Sequence, residues 1–105
     1  MSTTRVAAIQ MRSGTNPERN ADDFEALVRE AAGLDALYVQ SPEMTGALVR
    51  DRASLMAMIR PQEDDLITAR ASALAAELGI HVHVGSTAIA LPDGKVANRG
   101  FVFGP

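Results

Sequence analysis

Leu37-Tyr38-Val39-Gln40-Ser41-Pro42-Glu43 is the stretch on which the rest of the chain is organised. Leu37, Tyr38 and Val39 run into Gln40 and Ser41, then a proline, then a carboxylate. This order predicts a buried strand over residues 37–40, with Glu43 displayed beyond its C-terminal edge. Proline has no N–H to give a central ladder, so regular pairing ends at Pro42. Ligands of open α/β sheets gather outside the carboxyl ends of strands. A carboxylate held there is a candidate general base. Met44-Thr45-Gly46 keeps the backbone tight after it. A solvated loop carboxylate has the same local sequence, and spacing alone leaves both readings open.

Upstream, Val6-Ala7-Ala8-Ile9-Gln10-Met11 is a short apolar run with β-branched members. It is expected to be a fully buried strand. Arg12-Ser13-Gly14-Thr15 is a loop by composition. It sits where a phosphate-binding loop would sit, but one glycine and no following lysine make it an ordinary strand-to-helix connection. Asn16-Pro17 starts a helix, with asparagine as N-cap and proline at the first helical position. Phe24, Leu27, Val28 and Ala31 mark its buried face, and Gly33 is the expected stop. Strand, helix and strand make a βαβ unit with parallel strands.

Downstream, residues 44–60 read as an irregular stretch followed by a short helix, with methionines as packing fillers. Pro61 breaks the chain, and Asp64 or Asp65 caps an alanine-rich helix over residues 66–78 that Gly79 ends. Its stripe of Ile67, Ala71, Leu74, Ala75 and Leu78 is small enough to lie close to a sheet. Residues 80–91 form a third extended region. Leu91-Pro92-Asp93-Gly94-Lys95 is a turn, because Pro92 sets φ and Gly94 accepts φ > 0. Residues 96–103 return as a fourth strand. The order is β-α-β-(α)-α-β-β in an α/β sheet, parallel at first and antiparallel at the end.

The chain has 105 residues, which allows a single domain spanning 1–105. Apolar residues make up 47% and charged residues 22%, a globular balance. Net charge is −3, and the nine arginines and Lys95 are scattered among acids. Nucleic acid and anionic membranes both need a basic face, so neither is an expected partner. No cysteine is present, which excludes disulfides, thiolate metal sites and a cysteine nucleophile within these residues. No signal or transmembrane run occurs, and a cytoplasmic location is expected. His81-x-His83 places two imidazoles on one strand face. With no carboxylate or cysteine cluster near in sequence, the pair reads as a polar strand face rather than a metal site. Ser41 lacks the flanking glycines of a nucleophile elbow.

The motif order resembles that of the nitrilase-like carbon–nitrogen hydrolases. The resemblance rests on Val6-Ala7-Ala8-Ile9-Gln10-Met11, Pro42-Glu43, Val84-Gly85-Ser86 and Asn98-Arg99-Gly100-Phe101-Val102-Phe103-Gly104-Pro105. It implies the N-terminal portion of a four-layer α-β-β-α sandwich. It also implies hydrolysis of small amide, nitrile or carbamoyl substrates by a Glu-Lys-Cys triad, without a cofactor or metal, in an enzyme that forms homo-oligomers. Glu43 occupies the position of the triad glutamate, the general base. No other catalytic residue carries over. Lys95 lies in the hairpin turn before the Asn98-Arg99 motif, whereas the family lysine follows that motif's strand. Ser41 stands where a large apolar residue is common. The family continues past the point matching Gly104-Pro105 into a turn ending in Asp-Gly. The expectation is therefore a truncated domain that is inactive by itself. The alternative is a non-catalytic α/β module that binds a partner through an open sheet edge or apolar face.

Overall fold

A computed structural model describes residues 3–105. Along the chain run β1 (Val6–Ala8), α1 (Pro17–Gly33), β2 (Tyr38–Gln40), α2 (Arg52–Met58), a 3-10 turn (Gln62–Asp64), α3 (Leu66–Leu78), β3 (His81–Ala90) and β4 (Val96–Phe103). The four strands form one sheet in the order β1-β2-β3-β4. The β1–β2 and β2–β3 pairs are parallel, and β3–β4 is antiparallel. The mixed α/β order expected from the sequence is present.

Local chemistry accounts for the helix ends. The Asn16 side chain accepts the Arg19 N–H at 3.1 Å, with Pro17 opening α1. Asp65, rather than Asp64, caps α3 by accepting the Thr68 N–H at 2.9 Å. Gly79 ends α3 in the left-handed conformation. The end of α1 departs from expectation. Gly33 is its last residue, and the left-handed position falls on Asp35, with φ +67°. The Ala36 N–H reaches Ala31 C=O at 3.1 Å and the Asp35 N–H reaches Ala32 C=O at 3.0 Å. These are the two bonds of a Schellman ending, and aspartate is among the few side chains that tolerate its left-handed residue.

The core lies between the sheet and α1 with α3. Phe24, Val28, Ile67, Ala71, Ala75, Val39, Val82 and Val84 are all essentially inaccessible. Leu27, expected on the buried stripe of α1, is only half-buried. Alanines at 71 and 75 let α3 approach the strands closely. Two expectations of burial fail. Val6 is 64% exposed and Leu37 is 53% exposed. β1 spans three residues rather than six, although Ile9 still donates to Gln40 C=O at 2.9 Å. The reason is that both long helices cover one face only. Strand register places Val6, Tyr38 and His81 in one row of the other face, and Ala8, Gln40, His83 and Val102 in the next. An apolar strand composition does not say which face lacks a cover.

The two long helices are tied on their outer side. Arg29 bridges Glu25 and Glu77, and Arg70 bridges Asp22 and Glu25. The hydrogen bonds from Arg29 hold the Glu77 carboxyl below its ordinary 4.5. The backbone N–H and hydroxyl of Ser54, at the start of α2, hold Asp51 below its ordinary 3.8. Both pKa values are depressed in the folded state, so their stabilisation is present above the ordinary values and is lost as pH falls through the lowered ones. Unfolding midpoints in urea are expected to drop between roughly pH 5 and pH 3, with a shallower drop in Glu77→Gln. An unchanged slope in that variant would count against the bridge.

Candidate active site

β2 ends at Gln40, and the chain then turns through Ser41, Pro42, Glu43 and Met44. Ser41 is buried and still bonded to the sheet, its N–H donating to His83 C=O at 2.9 Å. Glu43 projects from the turn and is exposed. No ion pair to its carboxylate forms among the described residues. Met44 takes φ +54°, an uncommon conformation for a side chain of that size.

Behind the turn is a closed set of polar contacts. Thr45 donates its hydroxyl proton to Pro42 C=O at 2.6 Å. The hydroxyls of Thr45 and Ser41 are 2.8 Å apart. A hydroxyl has one proton to give, so Ser41 is the donor in that contact. Ser13 donates to Thr45 C=O at 2.8 Å. Asn20, 3% exposed, donates to Gly14 C=O at 3.0 Å and Gly46 C=O at 2.9 Å, and accepts the Gly14 N–H at 3.0 Å. The loop after β1, the first turns of α1 and the loop after β2 are thereby joined through one amide. Among the described residues, no buried side-chain nitrogen or oxygen lacks a partner.

The other wall is β3. Its pairing with β4 slips between Val84 opposite Phe101 and Thr87 opposite Arg99, so Gly85 and Ser86 together face Gly100. Bulges of this kind re-aim side chains and recur beside functional sites. A methyl group on Gly85 would overlap Ser41 O and lie 2.8 Å from Pro42 C and O, all backbone atoms. Only glycine permits the approach of the two strands at this point. Gln40, Glu43, Gly85, Ser86, Asn98 and Gly100 line a shallow, solvent-open depression of ≈ 380 Å³. A larger concavity, ≈ 810 Å³, runs between the 3-10 turn, α3 and the β3–β4 hairpin, and Glu43 takes no part in it.

The structure thus brings Glu43 together with Ser86 and Asn98, from three of the four motifs that carried the sequence resemblance. Lys95 stands apart in the hairpin turn, 3.7 Å from Asp93. His81 and His83 lie on the uncovered sheet face with Tyr38, whose hydroxyl is 2.6 Å from His83 Nδ1 and whose ring stacks on His81. Among the described residues no group of three or more histidine, aspartate or glutamate side chains is placed to hold a metal. Asn20 was not singled out from the sequence, and Ser13, Thr45 and Ser86 were named only within longer stretches, with no role for their side chains. Asn20 alone carried a signal, a polar residue one turn before Phe24 on the buried stripe of α1.

No family model and no curated protein matches the sequence. Solved structures do match the fold. An amidase from Nesterenkonia sp. superposes with a TM-score of 0.74 at 19% identity, over 94% of this chain and 37% of that one. XC1258 from Xanthomonas campestris, a CN-hydrolase superfamily protein, gives 0.81 at 24% identity, over 100% of this chain and 38% of that one. The C. elegans NitFhit protein gives 0.75 at 19% identity, over 97% and 26%. The fold is therefore that of the nitrilase superfamily, and the share covered fits an N-terminal portion of it. This chain spans well under half the length of the proteins it matches.

Substitution at two glycines separates the close approach from general glycine sensitivity. Gly85→Ala is expected to destabilise by about 1–3 kcal/mol or more, because the new methyl meets backbone that cannot rotate away. Gly14→Ala, with nothing within 4 Å of the added carbon, is expected to stay within roughly 0.5 kcal/mol of the parent. Urea denaturation of the two variants checks both values.

Proposed function

We propose that residues 1–105 form the N-terminal part of a cytoplasmic, homo-oligomeric hydrolase acting on the non-peptide carbon–nitrogen bonds of small amides, nitriles or carbamoyl compounds, with Glu43 as its general base. The observation that carries the reading is the setting of Glu43. An exposed carboxylate, without an ion-pair partner among the described residues, stands on a turn whose flanking residues Pro42, Met44 and Thr45 are hydrogen-bonded. Such a group can accept a proton from a nucleophile without first giving up a salt bridge.

The fold neighbours support the class of chemistry. The Nesterenkonia amidase has been solved with acrylamide added at its active-site cysteine. No cysteine occurs in these 105 residues. On this reading the thiol and the lysine come from residues beyond Pro105. The thiol would attack the substrate carbon, Glu43 would take the thiol proton, and the lysine would stabilise the tetrahedral intermediate. General-base assistance without a nucleophile is worth only about 10²–10⁴-fold, so the 105-residue chain alone is expected to release no ammonia from amides or nitriles.

The test is to read the coding sequence past residue 105 and assay the complete product for ammonia release from short amides and nitriles. Glu43→Gln is expected to lower kcat by about 10²–10⁴-fold with little change in melting temperature. Turnover by the 105-residue chain, or an unchanged kcat in the variant, would overturn the proposal. The latter result would favour a non-catalytic module using the uncovered sheet face.

A further inference from the structure

We infer that Ser86 is the positioning residue of the Glu43 turn, acting on the base through the backbone on both sides of it. This rests on the reading of Glu43 as a general base. Three bonds join Ser86 to the turn. Its N–H donates to Pro42 C=O at 3.4 Å, its C=O accepts the Thr45 N–H at 2.9 Å, and its hydroxyl oxygen accepts the Met44 N–H at 2.9 Å. Pro42 and Met44 are the two chain neighbours of Glu43, so the residue between them is held at both ends.

The third bond is the one a side chain controls. The Met44 N–H points toward β3, where the Ser86 hydroxyl meets it. Ser86 is 6% exposed, so water is a poor substitute partner there. The hydroxyl is in place because of the bulge, where Gly85 and Ser86 together oppose Gly100. Ser86 does not need to touch substrate for this role. It sets where the Glu43 carboxylate stands relative to the reacting atoms, and rate is sensitive to such placement.

The experiment uses the complete gene product and four variants: Glu43→Gln, Ser86→Ala, Ser86→Thr and the double Glu43→Gln/Ser86→Ala. Ser86→Ala is expected to lower kcat about 10- to 100-fold while KM stays within about two-fold. Ser86→Thr keeps the hydroxyl and is expected to restore most of the rate. In the Glu43→Gln background the alanine substitution is expected to cost little more, because a misplaced base and an absent base are the same loss. A role in stability alone would lower the melting temperature without this dependence on Glu43. Faster amide exchange at Met44 in Ser86→Ala reports the broken bond directly. If Glu43→Gln is strongly impaired and Ser86→Ala keeps its kcat, or if the two losses multiply, this inference falls alone. If Ser86→Thr loses as much rate as Ser86→Ala, the hydroxyl is not the cause and the inference also falls. If Glu43→Gln itself is unimpaired, the functional reading falls and takes this one with it.

Discussion

The closest constraint in the molecule is the contact of Gly85 with the Ser41–Pro42 backbone. The strand β3 and the turn after β2 meet there without room for a Cβ. Hydrogen bonds from Gly85 N–H to Ser41 C=O, and from Ser86 N–H to Pro42 C=O, carry the contact with β3 as far as the proline. Proline ends donation from β2 but still accepts. The sheet therefore keeps hold of the chain for two residues beyond the last regular strand position. Glu43 leaves from a backbone that is still part of the sheet, and the polar contacts of Asn20, Ser13 and Thr45 brace it from behind.

The helical layer is arranged to leave the opposite face of the sheet free. α1 and α3 pack side by side on one face, joined by the small side chains of α3 within and by the arginine bridges outside. The free face carries both apolar and polar groups: Val6 and Val102 beside Gln40, Tyr38 and the two histidines. In a four-layer sandwich a second sheet covers such a face, and the structures this chain matches are more than twice its length.

Much of this was legible in the sequence because it depends on local chemistry. Asn16-Pro17, Asp65, Gly79 and Pro92 with Gly94 all act within a few residues of themselves, and each marks a boundary where expected. The placement of Glu43 after a strand-ending proline was legible for the same reason. What was hidden depends on partners distant in sequence. Val84-Gly85-Ser86 stood out as a motif, but the part Ser86 plays is hidden until the register with β4 and its bond to Met44 are known. Asn20 is an ordinary helix-surface residue until Gly14 and Gly46 are brought to it. Single-sided burial of β1 was illegible too, since alternation is hard to see in a strand of three residues. Asp35 supplied the left turn that Gly33 was expected to supply, because the geometry requires only a residue that tolerates it, two places further on.

The slip in β3 also bears on how the strand tolerates change in length. Before it, burial alternates, with Val82 and Val84 inaccessible; beyond it residues 86–89 are all buried, and Thr87 and Ile89, 2% and 1% exposed, lie beside Ile67 and the start of α3. The two-for-one count at residues 85 and 86 passes the face of Val84 from even-numbered to odd-numbered residues. Deleting a single residue there would leave an unbroken ladder with Thr87 and Ile89 still on the face of Val84, because Arg99 and Phe101, partners of Thr87 and Val84 on β4, already share a face. What such a deletion would remove is the second residue of the bulge, and with it the bonds by which Ser86 holds Pro42, Met44 and Thr45. The extra residue thus serves the neighbouring turn rather than the strand itself: the faces of β3 do not need it, and the hold on Glu43 does.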